Sequence, residues 1–128
     1  MAEPAGVPPL WHQLSPEIRH RVIGRVMRAL SLLYRYDLGG DLVGAFRFHI
    51  AGPGGGDWYV AVSPRATASG EGKVEGPGLT LALREPAVFC RMFTGRFNPL
   101  VGLATGELRL AGRLRLFPRM ASLFSVDA

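Results

Sequence analysis

"FTGRFNPLVGLATGELRLAGRL", residues 93–114, sets four glycines and one proline among closely spaced apolar side chains. Asn98, the only asparagine of the chain, stands directly before Pro99. Asn is a strong helix N-cap and Pro fits the first helical position, so "NPLVGLATG" predicts a short helix closed by Gly106. After it, "ELRLAGRLRLF" alternates strictly. Leu108, Leu110, Leu114 and Leu116 share one side, and Glu107, Arg109, Arg113 and Arg115 the other, the pattern of one strand that Gly112 could end early. Upstream, "EPAVFCRMF" has Pro86 in a first turn and Gly95 just past its end, which predicts a second short helix. Pro118 suits the start of a last helix, "PRMASLF".

Working outward, "LTLALRE" places Leu79, Leu81 and Leu83 on one face of a strand, and "RATASGEGKVEGPG" reads as a polar, weaker strand between turns. In "GAFRFHIAGPGGGDWYVAVSP", Phe46, Phe48 and Ile50 alternate with Arg47 and His49. Trp58, Val60 and Val62 alternate with Tyr59 and Ala61. The "GPGGG" between them lacks the GK[ST] ending of a phosphate loop and is expected to be a hairpin turn. "SPEIRHRVIGRVMRALSLLYRY", residues 15–36, predicts a helix with Ser15 as cap and Glu17 at its positive end. Its apolar half-wheel holds Ile18, Val22, Ile23, Val26, Met27, Ala29, Leu30, Leu33 and Tyr34. Arg21, Arg25, Arg28 and Arg35 take the other half, with Arg19 misplaced in the apolar arc, so the helix is expected to dock on a sheet. "DLGGDLV" should break it. Residues 1–14 carry three prolines and no period, and an irregular arm is expected there, with residues 15–128 forming one domain.

The chain's 128 residues are 48% hydrophobic and 20% charged, with a formal net charge of +5. That balance suits one folded domain rather than a disordered chain. No apolar run approaches the roughly 20 residues of a spanning helix, and the start reads as no signal peptide; the expected setting is cytoplasmic. One cysteine, Cys90, precludes an intrachain disulfide, and its "VFCRMF" setting predicts a small buried apolar side chain. His12, His20 and His49 show no metal-ligand spacing, and no serine lies in a GxSxG elbow. Glu85 and Glu107 fit capping and surface pairing better than acid chemistry. Nucleic acid is disfavoured as a partner because Phe46, Phe48 and Trp58 fall on faces opposite the arginines, whereas stacking surfaces carry both together. The apolar residues concentrated after residue 88 fit a packed core or the wall of a cavity, and periodicity alone does not separate the two.

The order of elements and the stretch "FTGRFNPLVGLATGELRLAGRL" resemble the late signature of the sterol carrier protein type two domain, a family of small lipid-transfer proteins. Thr94, Gly95, Asn98, Pro99, Ala104, Gly106, Leu108, Leu110 and Gly112 match it in type and spacing, and the resemblance runs over residues 42–124. It implies an α+β fold: a five-stranded, mostly antiparallel sheet with helices on one face and an apolar tunnel between the two layers. It further implies a non-catalytic lipid carrier without cofactor, holding a sterol-like, fatty acid or fatty acyl ligand. The lining expected on this basis is Phe46, Phe48, Phe89, Met92, Phe93, Phe97, Leu100, Leu103, Leu108, Leu110, Met120 and Phe124, with Arg91 or Arg96 toward a headgroup. Transient membrane or enzyme contact would accompany transfer. The alternative is an accessory module of a lipid-metabolising enzyme whose cavity is collapsed or filled by a dimer contact. Arg113, where Asn or Asp commonly follows the glycine, and Pro118, inside the usual last helix, depart from the pattern.

Overall fold

A computed structural model describes residues 13–125; the arm expected over residues 1–14 lies almost wholly outside them. Helix α1 (Pro16–Leu32) starts at Ser15, whose hydroxyl accepts from the Ile18 N–H at 3.3 Å. It ends four residues before the expected point. The Arg35 N–H donates to Leu123 O at 2.7 Å and Tyr34 bridges Phe124, so a tertiary strand-like contact outcompetes further helix. A single helical turn, α2 (Tyr36–Gly39), follows where only a break is expected.

Strands β1 (Gly44–Ile50) and β2 (Gly56–Val62) form the hairpin around the glycine-rich turn. Gly55 is indispensable there: a Cβ would stand 2.0 Å from Ile50 O. Strand β3 (Thr67–Glu71) is the polar one, and β4 (Gly78–Leu83) the leucine-bearing one. Strand β5 (Leu108–Gly112) closes the sheet, in the order β3-β2-β1-β4-β5. Only β1 and β4 run parallel; every other pair is antiparallel. Helices α3 (Pro86–Phe93) and α4 (Pro99–Thr105) supply the connection between β4 and β5, and α5 (Leu116–Leu123) follows the sheet.

The single strand expected over residues 107–117 is therefore a strand and a helix. Gly112 takes φ 92°, a conformation L side chains avoid, and turns the chain off the sheet. Leu114 is consequently exposed rather than level with Leu108, whereas Leu116 is buried from within α5. That helix starts two residues before Pro118, which still sits in the first turn, where its missing N–H costs nothing.

The alternation divides the sheet as expected. Phe46 pairs with Val60 and Leu79, Phe48 with Trp58 and Leu81, and Ile50 with Leu83, all buried on the helical side. Arg47, His49, Asp57, Tyr59 and Thr80 occupy the other face. Helix α1 lies across β2 and β3, where Gly24 lets the Trp58 ring come close: a Cβ there would stand 3.2 Å from it. Its buried stripe is Ile23, Met27 and Leu30; Ile18 and Val22, of the same apolar half, stay partly in solvent. The apolar arc is thus wider than the stripe the sheet covers.

Candidate functional site

Between sheet and helices lies a cavity of about 560 Å³. Its walls come from every layer: Leu30 from α1 and Leu33 from its C-cap, Phe46, Phe48 and Val60 from the sheet, and Met92 and Phe93 from α3. Phe97 and Pro99 add the α3–α4 corner, and Phe117, Pro118, Met120, Ala121 and Phe124 the α5 side. All fourteen lining residues are apolar. The cavity meets solvent where Phe93, Pro99, Pro118 and Ala121 are exposed. Its volume falls within the roughly 300–1,000 Å³ typical of small-molecule sites.

Local chemistry holds these walls apart. Asn98 Oδ1 accepts from the Leu100 and Val101 N–H groups at 2.9 and 3.4 Å, fixing the start of α4, and Gly106 closes it with φ 79°. Helix α4 rests on Phe97 through Gly102, whose Cβ would fall 2.2 Å from the ring. Through the wall, Phe48, Phe89 and Phe93 form a chain of tilted and edge-to-face rings, with centroids 6.0 Å apart for Phe48–Phe89 and 4.7 Å for Phe89–Phe93. Across it, the Phe124 ring meets Phe46 edge-on at 5.1 Å. Such offset contacts brace a wall without filling the space in front of it.

Of the residues named from sequence, Phe46, Phe48, Met92, Phe93, Phe97, Met120 and Phe124 face the cavity. Phe89 and Leu108 are buried behind its lining, and Leu110 packs half-buried against the core. Leu100 and Leu103 point outward, 77% and 42% exposed. Leu30, Leu33, Val60, Pro99, Phe117, Pro118 and Ala121 complete the wall and were not among those named. Leu30 and Leu33 on the apolar half-wheel, and Val60 in the β2 alternation, carried the signal for it.

The two candidate headgroup arginines differ. The Arg91 guanidinium is engaged by the Glu107 carboxylate and stacks 5.6 Å over the Phe97 ring, while its Nε is buried without a partner among the described residues. Arg96 is exposed and stands in the sequence between the lining residues Phe93 and Phe97. Glu85 occupies the N-cap position of α3 but makes no side-chain cap bond, contrary to the capping expected of it. Burial pushes the Cys90 thiol up from its ordinary pKa, so it stays protonated and a poor nucleophile at neutral pH.

Away from the cavity, His20 clamps α1 to the sheet. Its Nδ1 lies 2.8 Å from Gly55 O and its Nε2 2.7 Å from Glu71 Oε2, with the ring against Trp58 at 4.7 Å. Two acceptors on two ring nitrogens suit the imidazolium; the Glu71 bond raises its pKa, burial opposes this, and the Gly55 bond adds to the rise. On the polar face, exposed His49 pairs with Asp57 at 2.6 Å.

No protein-family model matches the chain, and neither does any curated protein sequence. Solved structures do. The crystal structure of Sterol Carrier Protein 2 Like 2 from Aedes aegypti superposes with a TM-score of 0.63 over 83% of this chain and 96% of that one, at 15% identity. Its palmitated form in solution gives 0.52 over 87% and 95%, at 18% identity. A stereoselective inverting sec-alkylsulfatase, Pisa1 from Pseudomonas sp., gives 0.64 at 12% identity over 91% of this chain. The present chain spans only 17% of that enzyme's length. No helix among the described residues is long and apolar enough to cross a membrane. A five-stranded mixed sheet in the order β3-β2-β1-β4-β5, helices on its apolar face and these superpositions together identify the fold as that of the sterol carrier protein type two domain.

Proposed function

We propose that the protein is a cytoplasmic, non-catalytic carrier that holds the hydrocarbon part of a sterol-like, fatty acid or fatty acyl ligand in the cavity between sheet and helices. The observation that carries this reading is the wall itself: fourteen apolar residues around about 560 Å³, open on one side. Such a site selects hydrocarbon by shape and dryness, since it offers no charged side chain to orient a polar substrate. Burying the fourteen methylenes of a palmitoyl chain would gain about 11 kcal/mol, and about 3–4 kcal/mol of association cost would leave binding near the micromolar range. The palmitated state of the mosquito protein that shares the fold supports the choice of ligand class. A carboxylate or phosphate headgroup would stay at the mouth within reach of Arg96; Arg91 could join only by releasing Glu107. In this reading the pocket continues as a tunnel between sheet and helices.

Displacement of a fluorescent fatty acid tests it. Micromolar binding, competed by palmitate, is expected; a protein that binds no probe and yields no lipid on extraction would defeat the reading. The sulfatase favours a second reading, in which the fold serves as a module of a lipid-metabolising enzyme. A probe-negative protein that forms a stable complex with such an enzyme would establish that alternative instead.

A further inference from the structure

Helix α4 is bare. Of its seven residues, "PLVGLAT", only Gly102 is buried, and it is the contact with Phe97. Leu100, Val101 and Leu103 stand 77%, 52% and 42% exposed, and no residue of the helix is charged. The helix is fixed locally by its Asn98 cap and by the Gly102–Phe97 contact, while Leu100, Val101 and Leu103 stand in solvent. An apolar helix whose outer side meets no partner among the described residues gains by contact with another apolar phase.

The surroundings say which phase. Exposed Arg96 precedes the helix, and exposed Arg84 and Arg109 gather at its other end. Arg84 Nη2 donates to Thr105 O, and the guanidinium nitrogens of Arg84 and Arg109 lie 3.4 and 4.0 Å from where a Cβ of Gly106 would stand. The nearest carboxylate in sequence, Glu107, is engaged by Arg91. Over residues 84–125 the chain carries seven arginines against two glutamates. An apolar stripe bracketed by arginines matches the boundary of an anionic bilayer, with leucines at acyl depth and guanidinium groups among phosphates. A second copy of the same surface would set like charges against each other around the leucines, which opposes a symmetric pair.

We propose that α4 with its bracketing arginines is a docking surface for anionic phospholipid bilayers. The placement deepens the carrier reading and, in this respect only, rests on it: Pro99 of α4, with Phe93 and Phe97 just before it, lines the cavity, so docking brings the mouth to the bilayer surface. A lipid leaving the membrane could then pass along Phe93 and Pro99 without crossing water.

The test is flotation of the full chain with vesicles of phosphatidylcholine alone and with about 30 mol% phosphatidylglycerol added, at low and about 0.5 M salt. The proposal predicts binding to the anionic vesicles, weakened roughly tenfold by the higher salt. It predicts a loss of similar size, roughly tenfold, for Leu100→Gln/Leu103→Gln and for Arg96→Gln/Arg109→Gln. These side chains are exposed, so circular dichroism should be unchanged. Displacement of the fluorescent fatty acid in vesicle-free buffer separates the two claims: the leucine variant should bind the probe as the parent does. Absence of flotation, or flotation untouched by both variants, overturns the docking surface whatever the cavity binds. A sedimenting dimer that the leucine substitutions dissolve overturns it too, in favour of self-association.

Discussion

Replacing Val60 by Phe asks the cavity directly whether it is empty. Val60 is fully buried in β2, pairs with Phe46 across the hairpin and lines the cavity floor. In a filled core the larger side chain would force neighbours off their rotamers and cost about 1–3 kcal/mol. Here the position borders a cavity of about 560 Å³ toward which its neighbours can yield, so the expected loss of stability is below about 1 kcal/mol. Binding should suffer instead. Phe carries four more carbon atoms than Val and would take the place of three or four ligand methylenes. At about 0.8 kcal/mol each, the ligand loses about 3 kcal/mol, which is on the order of 100-fold in affinity. Urea unfolding gives the first quantity and fluorescent fatty acid titration the second. A variant destabilised by 2 kcal/mol or more, with fatty acid affinity unaltered, would refute the reasoning on both counts.

Other perturbations follow from the same contacts. Asn98→Ala removes two cap bonds from α4 and should cost about 1 kcal/mol, with faster amide exchange confined to residues 99–105. Glu107→Ala strands the Arg91 guanidinium, whose side chain is only 19% exposed; about 2 kcal/mol is expected, and Arg91→Ala/Glu107→Ala should be less destabilising than the two losses added. Because the His20 pKa is raised on folding, its clamp is complete below the unfolded value near 6.5 and is lost as pH rises through the folded value. Urea midpoints should therefore fall across that window, and His20→Ala should flatten the profile.

The strands were legible because a half-buried sheet writes itself as alternation: Phe46, Phe48 and Ile50, then Leu79, Leu81 and Leu83, all face the helices. Punctuation was legible too, in Ser15, Asn98 and Gly106. What periodicity missed was decided by tertiary contact. Helix α1 stops at Leu32 because Arg35 and Tyr34 find partners in Leu123 and Phe124, at the far end of the domain in sequence. Gly112 outweighs the alternation of residues 107–117 through its positive φ. The lining was half readable for a related reason. Apolar side chains on α4 look inward by composition, yet the helix approaches the core through Gly102, the one position too small to announce itself. Leu100 and Leu103 are turned outward by that choice.

Carbon-13-labelled palmitate, titrated into the protein and followed by isotope-edited NOE spectroscopy, tests the carrier account most directly. The account predicts contacts from the acyl chain to Phe46, Met92, Met120 and Phe124, residues that meet nowhere but in the cavity wall. Contacts confined to Leu100, Val101 and Leu103 on the outside of α4, or none at all, would contradict it.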